Sequence, residues 1–348
     1  MMASAALLRA NANARLAWTR DGLRGVRPLP PVTGPLGSTL RVKLDPVGLL
    51  TGLIIRATLR VTIAGAVQVP GNQSPFSVLA RIRLTDDQGT DRIVLTGDHA
   101  HTIDALYNRN GGGRQSGVMY QYPLVPTAIG ADQLIDVSYR IPIVADEWRD
   151  LRGAMFMPRS TQTYVFCDFA PSLLTASDDT AVYKGTSGTV TLSTVTQQPT
   201  IEVWQEFIDH EGALPDIDLA TVHYLTGAQS ITAGLAANAE QQIDYPVGRS
   251  VRALIISQLV DQLQAVENAS SMRSIVRSNY NAFDMKTIEK YVQQRRYLNG
   301  SDLLNGYWFI THAPELASRF SREYQAGFTP AVTGAAQSLT FTFDSFGA

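Results

Sequence analysis

The chain of 348 residues is long enough for two domains or for one large β domain, and its hydrophobic content of 45% supplies ample material for a core. A formal net charge of −2 argues against nucleic acid covering the whole surface, and we expect no sequence-specific nucleic-acid binding. The single cysteine, Cys167, excludes an intrachain disulfide, and its neighbours in YVFCDF predict a buried strand residue. Charged residues make up only 17% of the chain, which indicates a surface that is partly covered in an assembly.

The first 38 residues are predicted to form a helix followed by an extended arm. Residues 3–20 are rich in Ala, Leu and Arg and favour a helix, whereas residues 25–37 carry four prolines and are predicted to be extended. No charged residue precedes Arg9, and Arg9 cuts the apolar stretch short, so the segment lacks the pattern of a signal peptide. We interpret the chain as one that is made and kept in a cytoplasm.

This N-terminal region is strongly basic, with seven basic residues against one acid through Lys43. A helix of this composition can lie on an anionic membrane, with its arginines at the headgroups and its Leu and Trp side chains in the interface. The alternative is a helix that packs on a neighbouring subunit or frays. The residues expected to face a membrane or the interior of an assembly are Arg9, Arg15, Trp18, Arg20 and Arg24.

The most apolar segment, Gly48–Gly65, is predicted to be a strand. Arg56 and Arg60 interrupt it, and a membrane-spanning helix would place both guanidiniums in lipid at a cost of several kcal/mol. Read with a period of two, the residues from Leu53 to Ile63 place apolar side chains on one face and Arg or Thr on the other. We therefore expect a β-strand with one buried face.

About eight short strands are predicted between residues 39 and 209, separated by Gly, Pro, Asn and Asp turns, with a helix within residues 145–156 before the last of them. Residues 210–217 are predicted to link this region to a second one, residues 218–348. The second region has several strands and one helix, Asp284–Leu298, with Asp284 as its N-cap. This order predicts an all-β fold of two tandem eight-stranded jelly rolls, each with a short helix before its last strands.

The segment GDHAHTID carries the cluster that most resembles a catalytic site. On a strand, His99 and His101 would point to the same face, a spacing that can ligate a metal, and Asp104 follows. Cupins, which are also jelly rolls, use a similar pair with a following acid and a third histidine on a later strand. The next histidine here is His210, more than a hundred residues later. We therefore favour polar residues that face a groove or a neighbour over a metal site, and we predict no cofactor.

In this order, the elements resemble those of double jelly-roll major capsid proteins, above all those of tectivirus-like membrane-containing tailless icosahedral bacteriophages. The resemblance spans almost the whole chain, although each motif is loose, and shorter loops imply smaller towers on the outer surface. Its stretches are the N-terminal helix and arm leading to DPVGLLTGLIIRATLRVTI, then FSVLARIRLTDDQGTDRIVLTGDHAHTIDALYNRNGG, YRIPIVADEWRDLRGAMF, EVWQEFIDHEGALPDIDLATVHYLTG, and SNYNAFDMKTIEKYVQQRRYLNG with GYWFITH.

The resemblance implies a structural rather than an enzymatic role. It implies a homotrimer of double rolls, a pseudo-hexameric block that tiles an icosahedral shell, with the N-terminal helix facing an internal lipid membrane. It also implies contacts with penton and minor capsid proteins, a place in the virion and synthesis in the host cytoplasm. Two alternatives stay open, a bicupin-type metalloenzyme and a non-viral β-sandwich binding protein. Metal content together with mass in solution would separate the three.

Overall fold

The structure, a computed structural model, is mostly β-strand, which confirms the all-β prediction. The residues it describes are 17–65, 69–70, 75–107, 120–121, 132–144, 151, 153–158, 162–175, 182–184, 188–193, 198–211, 222–231, 241–246, 249–259, 269–276, 307–311, 318–319, 324–330 and 337–346.

The first sheet is built around the long strand β4 and has the order β1-β15-β4-β9-β8, with β10 and β14 also on β4 and β2 on β15. All of its pairings are antiparallel. Its strands are β1 (Leu23–Pro28), β2 (Val32–Thr33), β4 (Leu49–Ala64), β8 (Tyr120–Gln121), β9 (Asp132–Pro142), β10 (Met155–Phe156), β14 (Thr189–Leu192) and β15 (Thr200–Asp209).

The second sheet runs through both halves of the chain in the order β20-β18-β23-β16-β7-β6-β11-β3, with β21 on β18. Its strands are β3 (Thr39–Lys43), β6 (Leu79–Thr85), β7 (Asp91–Leu95), β11 (Tyr164–Phe169), β16 (Val222–Ile231), β18 (Ser250–Leu259), β20 (Tyr307–Thr311), β21 (Ser318–Arg319) and β23 (Gln337–Phe346). The halves meet where β16 pairs in parallel with β7, Tyr224 opposite Ile93 and Leu225 opposite Val94. Backbone hydrogen bonds therefore continue from one half into the other.

Two three-stranded sheets and short helices complete the described elements. One small sheet has the order β12-β13-β5 and the other β17-β22-β19. A 3-10 turn covers Phe76–Val78 and an α-helix covers Gly97–Tyr107, and residues 17–21 are also helical. The remaining strands are β5 (Val69–Pro70), β12 (Leu174–Thr175), β13 (Tyr183–Lys184), β17 (Gln241–Asp244), β19 (Ala269–Val276) and β22 (Tyr324–Pro330).

The core of the first half forms because its strands alternate apolar and polar residues. Burial of a Leu, Ile or Val side chain stabilises by about 1.5–3 kcal/mol, so each strand turns its apolar face to the opposite sheet. On β4 the predicted alternation is confirmed, and no inward side chain is more than 1% exposed. These inward residues are Leu53, Ile55, Ala57, Leu59, Val61 and Ile63. They share one cluster with buried residues of β3, β6, β7, β9, β11 and β15, and Cys167 on β11 is fully buried there, as predicted.

The predicted arm is part of the first sheet rather than a separate segment. β1 pairs along its length with β15, from Leu23 opposite Asp209 to Pro28 opposite Trp204. Pro28 is the first proline of the segment, so the residues before it keep the N–H groups that strand pairing requires. A membrane-facing arm therefore has to precede this strand.

The two helices predicted within the jelly rolls have different outcomes. Asp284–Leu298 lies outside the described residues. Most of the helix predicted within residues 145–156 also lies outside them, but its end is wrong, because Met155 and Phe156 form β10 and pair with Leu50 and Leu49. Of the predicted linker 210–217, only residues 210 and 211 are described.

Candidate functional site

The segment GDHAHTID forms a helix, Gly97–Tyr107, and not the predicted strand. Each helical residue turns by about 100°, so His99 and His101 point in nearly opposite directions. Ala100 and Ile103 are both fully buried at helical spacing, a signal that the period-two reading of the histidines overlooked. Gly97 begins the helix where a Cβ would collide with the backbone carbonyl of Phe76.

His99 joins the two halves of the chain. Its ring is completely buried, with Nδ1 2.6 Å from Thr342 Oγ1 on β23 and Nε2 2.7 Å from Ser257 Oγ on β18. Burial lowers the pKa of His99, while the carboxylate of Asp98, 3.9 Å from Nε2, opposes that shift. The imidazole is therefore neutral near pH 7, and one ring nitrogen donates while the other accepts.

The other two metal candidates have different partners. His101 stacks face to face on Phe76, with ring centroids 3.6 Å apart and planes 7° apart. Asp104 is buried and its Oδ2 lies 3.4 Å from the backbone nitrogen of Arg140. Across the described ranges, no three His, Cys, Asp or Glu side chains group in a way that could hold a metal ion. In this fold His99 and Asp104 make hydrogen bonds and His101 stacks on an aromatic ring.

A second buried network lies beside His99 and centres on Arg252 of β18. Arg252 is only 2% exposed, and its Nε donates to Asp344 Oδ2 on β23 at 2.6 Å. Its Nη2 donates to the hydroxyl of Tyr224 at 3.0 Å, and that hydroxyl donates to the carbonyl of Pro142 at 2.5 Å. Burial raises the pKa of Tyr224, which keeps the phenol protonated as a donor.

The two networks form one polar junction, here called the inter-roll seam. Thr226 links them to the first half, because its Oγ1 donates to the carbonyl of Val94 at 2.8 Å and lies 2.7 Å from Thr342 Oγ1. A buried polar group destabilises the fold unless it is hydrogen-bonded. The hydrogen bonds of this junction all form together in one relative placement of the two halves, which favours that placement. The seam consists of His99, Tyr224, Thr226, Arg252, Ser257, Thr342 and Asp344.

Sequence reasoning did not find the seam, although two signals point to it. Arg252 and Asp344 are the only charged residues in two strands, SVRALIISQL and QSLTFTFDSF. A charge inside such a strand usually needs a buried partner. The partner itself is not visible, because the two residues are 92 positions apart.

The predicted membrane-facing residues lie in different environments. Arg9 and Arg15 lie outside the described residues, and Arg20 is exposed. Arg24 is half-buried and donates to the backbone carbonyl of Thr19 at 2.8 Å. Trp18 is only 3% exposed, so its predicted place in a lipid interface is wrong for this conformation. It packs instead with Leu49, Val144, Leu151, Ala154 and Ile208.

No helix within the described ranges has the length and apolar character needed to span a bilayer.

Ion pairs connect side chains on the outer face of the first sheet. Arg56 on β4 donates to both carboxylate oxygens of Asp136 on β9, at 2.8 and 2.6 Å, and to Glu202 on β15 at 3.1 Å. Arg140 on β9 donates to Glu206 on β15 at 2.9 Å. Arg56, one of the two arginines that interrupt the apolar run of the sequence, therefore holds β4 to both of its neighbours, β9 and β15, on the polar side of the sheet.

The outer face of the second sheet is different. Across β3, β11 and β6, Arg41 lies opposite Phe166, which lies opposite Arg83. The Arg41 guanidinium sits 3.5 Å above the ring centroid of Tyr164, and that of Arg83 lies 4.9 Å from the centroid of Phe166. The basic–aromatic face, as we name it, comprises Arg41, Lys43, Arg81, Arg83, Tyr164 and Phe166.

Two antiparallel sandwiches that share one continuous sheet define the class of fold, the double jelly roll of viral major capsid proteins. The chain is similar to the crystal structure of the STIV MCP, with a TM-score of 0.65 and 8% identity over 94% of this chain and 97% of that one. In an atomic structure of Sulfolobus Turreted Icosahedral Virus the TM-score is 0.64, with 10% identity over 94% and 91% of the two chains. For the major capsid protein P2 from bacteriophage PM2 it is 0.54, with 11% identity over 93% and 98%. No protein-family model and no curated protein matches the sequence.

Proposed function

We propose that this protein is a viral major capsid protein. The observation that carries the proposal is the end-to-end match of the fold, which covers 94% of this chain and 97% of the STIV MCP. A match to one jelly roll alone would fit many classes of protein, because single rolls serve many functions. Two rolls joined in the same order and over the same length restrict the comparison to capsid subunits.

The assembly we propose is a homotrimer that acts as a pseudo-hexameric block and tiles an icosahedral shell. Each chain contributes two rolls, so three chains present six similar units around one axis. The inter-roll seam supports this role, since a block that must fit its neighbours requires a fixed angle between its rolls. Contacts with penton and minor capsid proteins belong to the same proposal, as do the place in the virion and synthesis in the host cytoplasm.

An internal lipid membrane beneath the shell is the further part of the proposal. The basic N-terminal residues, with Arg9, Arg15 and the exposed Arg20, supply the charge that anionic headgroups attract. Since Trp18 anchors the chain in the first roll, residues 1–16 are the segment we expect to contact lipid.

Mass in solution tests the assembly. We expect light scattering after size-exclusion chromatography to give the mass of three chains, and electron microscopy to show six-lobed particles or hexagonal arrays. A metal-free trimer supports the capsid function. A protein that stays monomeric at every concentration, or a monomer or dimer with stoichiometric metal, contradicts it.

Sedimentation with vesicles tests the membrane contact. Removal of residues 1–16 is expected to abolish binding to vesicles of anionic phospholipid while the trimer and the melting temperature stay unchanged, because Trp18 and β1 are kept. Vesicles of zwitterionic phospholipid are the control and should bind neither protein. Equal binding of the truncated and full chains to anionic vesicles would reject the arm as the lipid contact.

A further inference from the structure

The basic–aromatic face is a cationic surface with four basic residues and a single acid beside them, Asp168, which lies opposite Arg81. Arg41, Lys43 and Arg81 are exposed and Arg83 is half-buried. Within the described ranges none of the four forms an ion pair, and the Nε–H of Arg83 has no hydrogen-bond partner. Asp168 is the one acid on these three strands, so the four basic residues of the face together with Asp168 have a net charge of +3.

The guanidiniums on this face are held in place before any partner arrives. The Arg41 guanidinium lies 3.5 Å above the ring centroid of Tyr164, and the rings of Tyr164 and Phe166 are 6.2 Å apart, so the arginines and rings support one another across three strands. A stacked guanidinium has lost much of its freedom but keeps its N–H edges available. Ordering these side chains therefore adds little to the cost of binding.

The chemistry favours a protein carboxylate over a nucleic acid as the partner. Stacking of bases requires aromatic rings with a free face, and here Arg41 covers Tyr164 at 3.5 Å. Fixed guanidinium edges instead match the two oxygens of a carboxylate. Arg and Tyr are also the residues that dominate the energy of protein interfaces.

Charge identifies another copy of this chain as that partner. The whole chain has a net charge of −2, so the part outside this +3 face has a net charge of −5, because −2 − 3 = −5. The face cannot meet its own copy, since that contact would place like charges together. It can meet the acidic remainder of a second copy, which makes the contact head-to-tail rather than two-fold symmetric.

We infer that the basic–aromatic face is a self-association surface that binds carboxylates of a second copy of this chain in a head-to-tail contact. The inference rests on the proposed capsid function and names the surface through which the copies join. A head-to-tail contact closes into a ring when the rotation between copies allows it, as a trimer requires.

Charge reversal tests the inference. The double variant Arg41→Glu/Arg83→Glu is expected to raise the dissociation constant of the oligomer about tenfold or more, measured by analytical ultracentrifugation. Added salt should weaken the wild type more than the variant. The matched control is Arg27→Glu, which reverses another exposed arginine, on β1, that pairs with Asp45. It should assemble like the wild type, because exposed ion pairs contribute little.

Each result has a defined meaning. If the wild type assembles and the double variant assembles equally well, or if Arg27→Glu weakens assembly as much, the surface assignment is wrong while the capsid function stands. If the wild type never assembles, the capsid function itself fails. If the double variant loses binding to a labelled thymidine oligonucleotide while its assembly is unchanged, the face binds nucleic acid instead. Should charge reversal lower the melting temperature, Arg41→Gln/Arg83→Gln gives the same test without an introduced charge.

Discussion

The core of the first roll and most of the inter-roll seam are buried, but they are stabilised by different physics. The core is a set of apolar side chains whose burial depends on area and shape, so several packings of similar volume are tolerated. The seam is a set of directional hydrogen bonds around a neutral histidine and a buried ion pair. The core therefore supplies the stability of the roll, whereas the seam fixes the angle between the rolls.

The largest effect is expected from breaking the ion pair of the seam. Asp344→Ala leaves Arg252 buried without its carboxylate partner, and the free energy of unfolding should fall by about 3–5 kcal/mol. Urea unfolding followed by circular dichroism measures it. The control is Arg252→Met/Asp344→Leu, which removes both charges and should recover most of the loss. A loss below about 1 kcal/mol for Asp344→Ala would show that the pair is not buried as described.

A cavity in the core is expected to have a smaller but still large effect. Ile55 on β4 is completely buried, and Ile55→Ala should lower the free energy of unfolding by about 3 kcal/mol through lost burial and an unfilled cavity. The matched control Thr58→Ala changes the outward face of the same strand. It should lower the free energy of unfolding by well under half as much, about 1 kcal/mol or less. Equal losses at both positions would contradict the sandwich.

The smallest effect is expected from protonation of His99. Its folded pKa is lowered by burial, so below the ordinary pKa of about 6.5 the unfolded chain takes up a proton that the folded chain does not. Its contribution to stability is therefore complete above pH 6.5 and is lost as the pH falls toward the folded pKa, by at most ~1.4 kcal/mol per pH unit. Urea unfolding at pH 7.0 and 5.5 should show a larger decrease for the wild type than for His99→Gln. The same decrease in both proteins would mean that His99 does not titrate in this range.

The parts of the fold that the sequence predicts are those that depend on local pattern. The alternation of β4 and the buried position of Cys167 follow from neighbouring residues alone, and both are confirmed. The period-two reading of His99 and His101 predicts a strand and is wrong, because the segment is a helix in which Ala100 and Ile103 are buried at helical spacing.

The parts that the sequence does not predict depend on contacts between residues that are far apart in the sequence. His99 and Thr342 are 243 positions apart, and no local rule relates them. The same is true of the arm, because the composition of residues 25–37 indicates an extended chain but does not say that β15 lies alongside it. Turn prolines and strand prolines look alike until the neighbouring strand is known.

The position of β23 has a consequence for how the subunit is made. This strand comes late in the chain, yet it lies in the middle of the second sheet, paired with β16 on one side and β18 on the other. The first roll is complete in sequence by residue 209, while β16 and β18 each keep an open edge until residues 337–346 leave the ribosome. A chain that stops before β23 therefore exposes two unpaired strand edges, which are sites of unwanted pairing with other chains.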